Sequence, residues 1–314
     1  MWWYYGGEYF HEAKINKAFQ YAQETGIKAG QVIKRDFSVN DPDVQDVLND
    51  LGVINFCLLN SKMILNAEVY SRYHPQESLN KRLFFNLGAG PIWIHPFWTT
   101  LDIRPASAFS LDYDLLDQIP LPIETESAEI IYSSHTLEHV DDASTINFLL
   151  QAHRSLKPGG CLRLVTPDVD LMYAAYRKGF IEHFSYLIGD HVKTGPIGQC
   201  FLHEFAAHLS SLCQVETPHR MKDHELANLF NRLDYEDALN HCTAQCSMDI
   251  QRKVKGVPHV NWFNAKKLVR MAEEAGFEQV EVSACGQSKF PVLRDFLFFD
   301  NTTPGTSVYV EAIK

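Results

Sequence analysis

The sequence predicts an α/β protein built on a parallel, doubly wound sheet. Three observations predict it. An apolar run at residues 83–85 stops at a glycine turn, Gly88-Ala89-Gly90. Apolar runs then alternate with loops or helical stretches as far as Asp168. The same alternation resumes near Asn264, after a long helical stretch, and continues to residue 313. A short apolar run ended by glycines is the pattern of a strand buried on both faces. Strands alternating with helical patterns argue for parallel βαβ units.

Residues 1–79 precede this pattern and read as a mainly helical extension. Residues 12–25 have helical character, and Gly26 is placed to end that helix. Pro42, in Asn40-Asp41-Pro42-Asp43, sits near the first position of a second helix. Val44, Val47, Leu48 and Leu51 recur there at helical spacing, ahead of Gly52. Residues 54–65 read as a further helix or a strand. The aromatic cluster Trp2, Trp3, Tyr4, Tyr5, Tyr9 and Phe10 either lines a pocket or packs onto a neighbouring domain.

After the glycine turn, residues 98–103 form a second strand containing Asp102. Residues 109–116 carry Asp112 and Asp114 ahead of a proline-bounded loop at 119–123. Residues 128–133 form another buried strand, running into Ser134, His135 and Thr136. Asp142 is placed to cap a helix over 143–156, in which Ile146, Leu149, Leu150 and His153 share one face. Lys157-Pro158-Gly159-Gly160 stops that helix, and 161–166 is a strand ending at Pro167 and Asp168.

From residue 169 to 258 the pattern changes. Residues 171–178, 201–213 and 223–252 read as helical with no convincing strand between them. This stretch is too long and too apolar for a loop, so it is expected to be a helical insertion. The core then resumes with an amphipathic helix at 264–275, ended by Gly276, a strand at 278–283 and a last strand at 306–313.

The net charge of −11 argues against a general nucleic-acid binder, which would usually show a basic patch. No stretch approaches the roughly 18 continuous apolar residues of a membrane helix. The first residues lack the basic and apolar regions of a secretory leader. Seven cysteines without a framework fit reduced thiols. A cytoplasmic protein without membrane or nucleic-acid partners is therefore expected.

A glycine turn followed by an acid at the end of the next strand suits two cofactor classes, the dinucleotides and S-adenosylmethionine. Asp102 does not discriminate, because in either case it would accept from ribose hydroxyls. The glycines do. A dinucleotide site wants Gly-x-Gly-x-x-Gly opening a helix whose N-terminus meets a pyrophosphate. Here Pro91 follows Gly90 and contributes no N–H, no third glycine follows, and Pro96 interrupts a helix.

Residues 84–91, with Asp102, Asp114, the segment 130–140 (IIYSSHTLEHV) and 157–165 (KPGGCLRLV), resemble the class I S-adenosylmethionine-dependent methyltransferases, in particular the small-molecule type with a Leu-Glu-His stretch. The resemblance covers about residues 80–168 and, more weakly, 259–314. It implies a Rossmann-like, seven-stranded sheet whose last strand, 306–313, is antiparallel. It implies S-adenosylmethionine as cofactor and S-adenosylhomocysteine as product. Gly88, Ala89 and Gly90 would pass under the methionine and ribose. Asp102 would bind the ribose hydroxyls, with Ile103 against the adenine. Asp114 and Leu115 would lie at the adenine edge, and Ser134 and His135 near the methionine part. Asn86 stands where the family usually carries an acid, and Ile92 where it carries a small residue.

Methyl transfer is an in-line displacement at the sulfonium carbon, for which placing the acceptor is much of the catalysis. An oxygen or nitrogen acceptor also needs a base if it must lose a proton. Candidates at the carboxyl ends of the strands are His135, Asp168 and His259, each of which also has a purely structural reading. Glu138 and His139 are read as fixing the start of a helix. No metal site is expected. His203 and His208 in FLHEFAAHL are five apart, where a zinc-binding helix needs four, and His241, Cys242 and Cys246 lack a second pair. The favoured function is methyl transfer to a small-molecule or sugar-containing acceptor, with 169–258 as an acceptor-side cap. A non-catalytic nucleoside-binding module on the same fold is the alternative, and an NAD(P)-dependent oxidoreductase a more distant one.

Overall fold

The computed structural model describes residues 2–5, 8–11, 69–70, 73, 82–90, 93, 95, 97–103, 110–188, 196–213, 220–296 and 298–314. The expected helices at 12–25 and 43–51, and the helix or strand at 54–65, lie outside them, as does Ile92. Strands β1 (Trp2–Tyr5) and β2 (Glu8–His11) form an antiparallel hairpin with Trp2 opposite His11, so the aromatic cluster at the start of the mainly helical stretch lies on strands. Residues rich in aromatics suit a pleated ribbon better than a helix.

Seven further strands make one sheet: β3 (Phe84–Leu87), β4 (Trp98–Asp102), β5 (Ser110–Asp112), β6 (Ala128–Ser134), β7 (Leu156–Pro167), β8 (Gln279–Ser283) and β9 (Ser307–Ile313). Their order is β5-β4-β3-β6-β7-β9-β8. β4 pairs with β5, and β6 with β7, in parallel, whereas β9 runs antiparallel to both β7 and β8. The doubly wound sheet with an antiparallel last strand is thus the observed architecture. The chain divides into two compact units, residues 1–84 with 89–112, and residues 85–88 with 113–314.

In the first unit, Phe84, Trp98 and Leu101 are buried and Tyr70 meets Phe84 edge-on, with ring centroids 5.4 Å apart. His95 is buried beside them. Its Nδ1 accepts from the Phe97 N–H at 3.2 Å, which leaves Nε2 to donate to Tyr70 Oη at 3.2 Å; Trp98 Nε1 donates to the same oxygen. Burial lowers the His95 ring to about 3. In the unfolded chain an imidazole titrates near about 6.5, so below that pH the unfolded state takes up a proton that the folded state refuses. The stability this ring contributes is complete above pH 6.5 and falls with pH towards 3, by about 1.4 kcal/mol per unit. Urea unfolding at pH 7 and pH 5 is expected to show a smaller loss for His95→Gln than for wild type, by about 2 kcal/mol. Equal losses would remove His95 as the source.

In the second unit, helix α1 (Asp142–Ser155) is capped by Asp141, whose Oδ1 accepts from the Ser144 N–H at 2.8 Å. The expected cap, Asp142, is the first helical residue; its carboxylate turns instead to the buried Lys267 and to Asn261. Lys157-Pro158-Gly159-Gly160 does not form a separate stop. The helix ends at Ser155 and the chain enters β7 at once, with Ala128 opposite Leu156 and Ile130 opposite Cys161. The extra residues bulge out of the ladder, and Gly159 N–H and Gly160 carbonyl bond the backbone of Lys314.

Among the described residues of the expected insertion every regular element is helical, with no strand: α2 (Val169–Lys178), α3 (Ile181–Ile188), α4 (Ile197–His203), α5 (Asp223–Arg232), α6 (Tyr235–Thr243) and α7 (Met248–Lys253). Phe184, Phe201, Phe205, Leu226, Leu239 and Trp262 form its own core. Each such side chain contributes about 1.5–3 kcal/mol on burial, which explains why this stretch folds as a body rather than a loop. Helix α8 (Ala265–Glu274) follows, with Asn264 capping it by accepting from the Lys267 N–H at 2.9 Å. Among the described residues no helix is long and apolar enough to cross a membrane.

Candidate active site

In the first unit the glycine turn is tied to the end of β4. Gly90 has φ +68°, and its N–H donates to Asp102 Oδ2 at 2.8 Å. Asp102 is buried and Ile103 and Ala89 are half-buried. Among the described residues nothing lies within 4 Å of where a Gly90 Cβ would stand. Among the described residues, then, no side chain covers this glycine.

Gly88, in the second unit, is a glycine for a different reason. It has φ +69°, and a Cβ there would overlap the Thr136 side chain. Thr136 Oγ1 bonds the carbonyls of Leu87 and Ser134 at 3.2 Å, bridging the ends of β3 and β6. Gly88→Ala is expected to destabilise the protein by about 1–3 kcal/mol through strain and overpacking. Gly90→Ala carries only the φ strain, about 1–2 kcal/mol. Thermal unfolding of both variants checks this; a Gly88→Ala melt matching wild type would contradict it, and adding Thr136→Gly should recover part of the loss.

Asn86 is buried on β3. At the carboxyl end of β6, the Ser133 and Ser134 hydroxyls are buried without a hydrogen-bond partner among the described residues. Leu115 is buried in the short 3-10 turn Leu115–Asp117, and Asp114 caps that turn, its Oδ1 accepting from the Leu116 N–H at 2.9 Å. The other Asp114 oxygen lies 3.9 Å from Arg252 Nη1, which pairs more closely with Asp117.

The three candidate bases are in different situations. Asp168 caps α2, accepting from the Asp170 N–H at 3.0 Å, and burial raises its carboxyl above the usual range. His135 follows β6 with φ +51°. Its Nε2 hydrogen bonds with Ser307 Oγ at 2.9 Å, and its Nδ1 lies 3.2 Å from Glu138 Oε1. His259 Nδ1 donates to the Glu204 carbonyl at 2.9 Å, and no hydrogen bond from a described residue reaches its Nε2.

Glu138 lies in the first turn of a 3-10 helix and His139 in its last, ahead of α1 rather than in it. That 3-10 turn, Leu137–His139, packs against the chain returning from the insertion. Val260 N–H donates to the Glu138 carbonyl at 2.7 Å, and Gln251 Nε2 donates to the carbonyls of both His139 and Pro258. The His139 and His259 rings meet edge-on, with centroids 4.8 Å apart. Burial pushes the Glu138 carboxyl up, but the facing rings of His135, His139 and His259 outweigh it and hold it down at about 2. Burial, reinforced by His259, lowers His139 to about 4 against the pull of Glu138. At neutral pH this pocket holds a carboxylate beside a neutral imidazole.

His203 and His208 do not act together. His208 is buried, hydrogen bonded with Gln251 Oε1 at 3.2 Å, and accepts from the Ser247 N–H. Cys242 and Cys246 are thiols pushed up to about 12 by burial, out of the range of reactive thiolates.

A family profile described as a methyltransferase domain matches residues 21–282. Solved structures with a similar fold include an S-adenosylmethionine-dependent methyltransferase of Thermotoga maritima, described as a possible histamine N-methyltransferase; the match has 14% identity and a TM-score of 0.34 and covers 79% of this chain and 99% of that one. A second, from Mesorhizobium loti, has 16% identity and a TM-score of 0.35, covering 76% and 96%. A third, from Archaeoglobus fulgidus, has 11% identity and a TM-score of 0.35, covering 81% and 94%. No curated protein matches the chain.

Proposed function

Because the chain belongs to the methyltransferase-domain family, with S-adenosylmethionine as methyl donor and S-adenosylhomocysteine as product, we propose that it methylates a small-molecule or sugar-containing acceptor. The observation that carries the cofactor assignment is the Gly90–Asp102 hydrogen bond. It fixes a buried carboxylate at the carboxyl end of β4, where open α/β sheets bind ligands. Asp102 accepts from the ribose hydroxyls, with Ile103 against the adenine. Gly88, Ala89 and Gly90 pass under the methionine and ribose, the lack of a side chain at Gly90 allowing close approach. Asn86, buried on β3, stands where the family usually carries an acid and can accept a hydrogen bond. Asp114 and Leu115 lie at the adenine edge, and Ser134 and His135 near the methionine part. The hydroxyls of Ser133 and Ser134, buried with no hydrogen-bond partner among the described residues, support a polar ligand at the end of β6.

Bound at these residues, S-adenosylmethionine would supply the methyl group from its sulfonium, whose sulfur would keep the electron pair of the broken bond. The protein's part is to hold the acceptor atom in line behind that carbon. The helical body of 169–258 is the cap that does so, and the net charge of −11 favours an acceptor other than nucleic acid. Of the three candidate bases, Asp168 is committed to a helix cap and His135 is engaged at both nitrogens. His259 keeps Nε2 for an acceptor that must lose a proton. The six described cysteines are free thiols, which supports a cytoplasmic setting.

Calorimetric titration with S-adenosylmethionine, S-adenosylhomocysteine and NAD tests this reading. Micromolar binding of the first two without NAD heat is expected. Binding of the first two with no turnover across acceptor classes would leave the non-catalytic module as the better reading, and NAD binding alone would leave the oxidoreductase.

A further inference from the structure

We infer that Glu138, His139 and His259 form a binding site for a divalent transition-metal ion of the zinc type. One donor atom from each of the three side chains lies within 4.8 Å of the other two. Donors at the usual zinc distances of about 2.0–2.2 Å stand roughly 3.3–3.6 Å apart in a tetrahedron, so small side-chain rotations complete the set. Two imidazoles and one carboxylate are a donor combination suited to zinc and to its first-row neighbours, and they leave further coordination positions for water or substrate.

Two features set this cluster apart from an accidental gathering of polar groups. The first is the state of the rings. His139 Nδ1 hydrogen bonds with the Pro258 carbonyl at 3.1 Å, and His259 Nδ1 with the Glu204 carbonyl at 2.9 Å. A carbonyl only accepts, so each Nδ1 carries the proton and each Nε2 presents a lone pair. Metal-binding histidines are oriented in this way, by a hydrogen bond from the other ring nitrogen to a carbonyl or carboxylate. The second is Glu138. Its side chain is 1% exposed, and neither carboxylate oxygen has a hydrogen-bond partner among the described residues. The nearest group is His135 Nδ1, 3.2 Å from Oε1. An ionised carboxylate is costly to bury unless a cation or donors face it, and a metal ion held with the two Nε2 atoms meets that need.

The framework is stiff. Backbone bonds from Val260 and Asn261 to the Glu138 carbonyl join the two segments that carry the donors, and Gln251 ties His139 to Pro258. His139 and His259 are half-buried, which leaves the ion a way in. On the methyl-transfer reading proposed above, the ion would lower the pKa of an acceptor hydroxyl bound to it, the proton passing to solvent, in place of a base at His259.

The test uses the full chain, freed of metal with a chelator, dialysed, and titrated with Zn2+ and then Co2+ without cofactor or acceptor. One ion per chain is expected, with visible Co2+ absorption of a four- or five-coordinate site and a rise in melting temperature. His139→Gln and His259→Gln should each weaken binding at least about 100-fold and abolish the thermal shift. His241→Gln, on an exposed face of α6, should leave both unchanged. No stoichiometric binding, or binding that survives both His139→Gln and His259→Gln, would overturn the site. Because the titration contains no S-adenosylmethionine, its outcome is independent of whether the methyl-transfer reading holds.

Discussion

Arg163→Met is expected to destabilise the protein by about 3–5 kcal/mol, the cost of leaving a buried charge without its partner. Arg163 stands on β7, an interior strand of the sheet, and is fully buried. Its Nε donates to Asp300 Oδ1 at 3.0 Å, Nη2 pairs with the other Asp300 oxygen, and Nη1 donates to Glu311 Oε1 at 3.0 Å. Nη2 also donates to the Ala284 carbonyl, and the guanidinium lies 5.4 Å from the centre of the Tyr309 ring. Burial works against the charge of Arg163, but Asp300 and Glu311 more than offset it, so the group is held more firmly protonated than in water. One guanidinium serves two buried carboxylates, and backbone N–H groups of Gly286 and Lys289 complete their shells. Methionine fills similar space but strands both acids. Urea denaturation measures the loss. Adding Asp300→Asn and Glu311→Gln should recover part of it, because the stranded charges then disappear. A loss below about 1 kcal/mol for Arg163→Met alone would mean that the network is neutral to stability.

Asp102→Ala is expected to weaken S-adenosylmethionine binding by about 1.5–3 kcal/mol, roughly 10- to 150-fold, the usual loss for a hydrogen bond to a charged group. The variant removes the carboxylate proposed to hold the ribose and also frees the Gly90 N–H that it now accepts. Asp102→Asn keeps an acceptor for Gly90 but loses the charge, so its affinity should fall between those of wild type and Asp102→Ala. Calorimetry on both, with circular dichroism to confirm folding, separates the two roles. Unchanged affinity in a folded Asp102→Ala protein would end the ribose assignment.

The strands were readable in the sequence because burial on both faces leaves apolar stretches such as Ile130–Tyr132 at their centres. The two helices on either side of the insertion, α1 and α8, were readable to within a residue, whereas 223–252, read as one helical stretch, is divided into α5, α6 and α7. Asp141 and Asp142 are adjacent caps in sequence, and only the demand of Lys267 for a carboxylate decides between them. Lys157–Gly160 misled because its proline and glycines suit a turn, whereas pairing with β6 and Lys314 draws it into a bulged strand. The N-terminal hairpin was missed because two four-residue strands offer too little periodicity to read. In the site, the glycine turn and Asp102 are local signals and were legible. The grouping of Glu138 and His139 with His259 was not. Adjacent Glu and His residues carry no spacing signal, and His259 is brought to them only when Val260 bonds back to the turn across the whole insertion.

The position of β9 has a kinetic consequence. In the sheet it lies between β7 and β8, although β8 precedes it in the chain. On a ribosome, β8 therefore emerges with no partner on this side of the sheet, and its edge stays unsatisfied until the later strand slots in between. Synthesis order and docking order are inverted, and the closing contacts join residues far apart in sequence, such as Cys161 with Ile313. Closure of that kind is slow, and an unpaired strand edge invites association with other chains. The nascent protein is thus most exposed to misassembly in the interval between the emergence of residue 283 and that of residue 313.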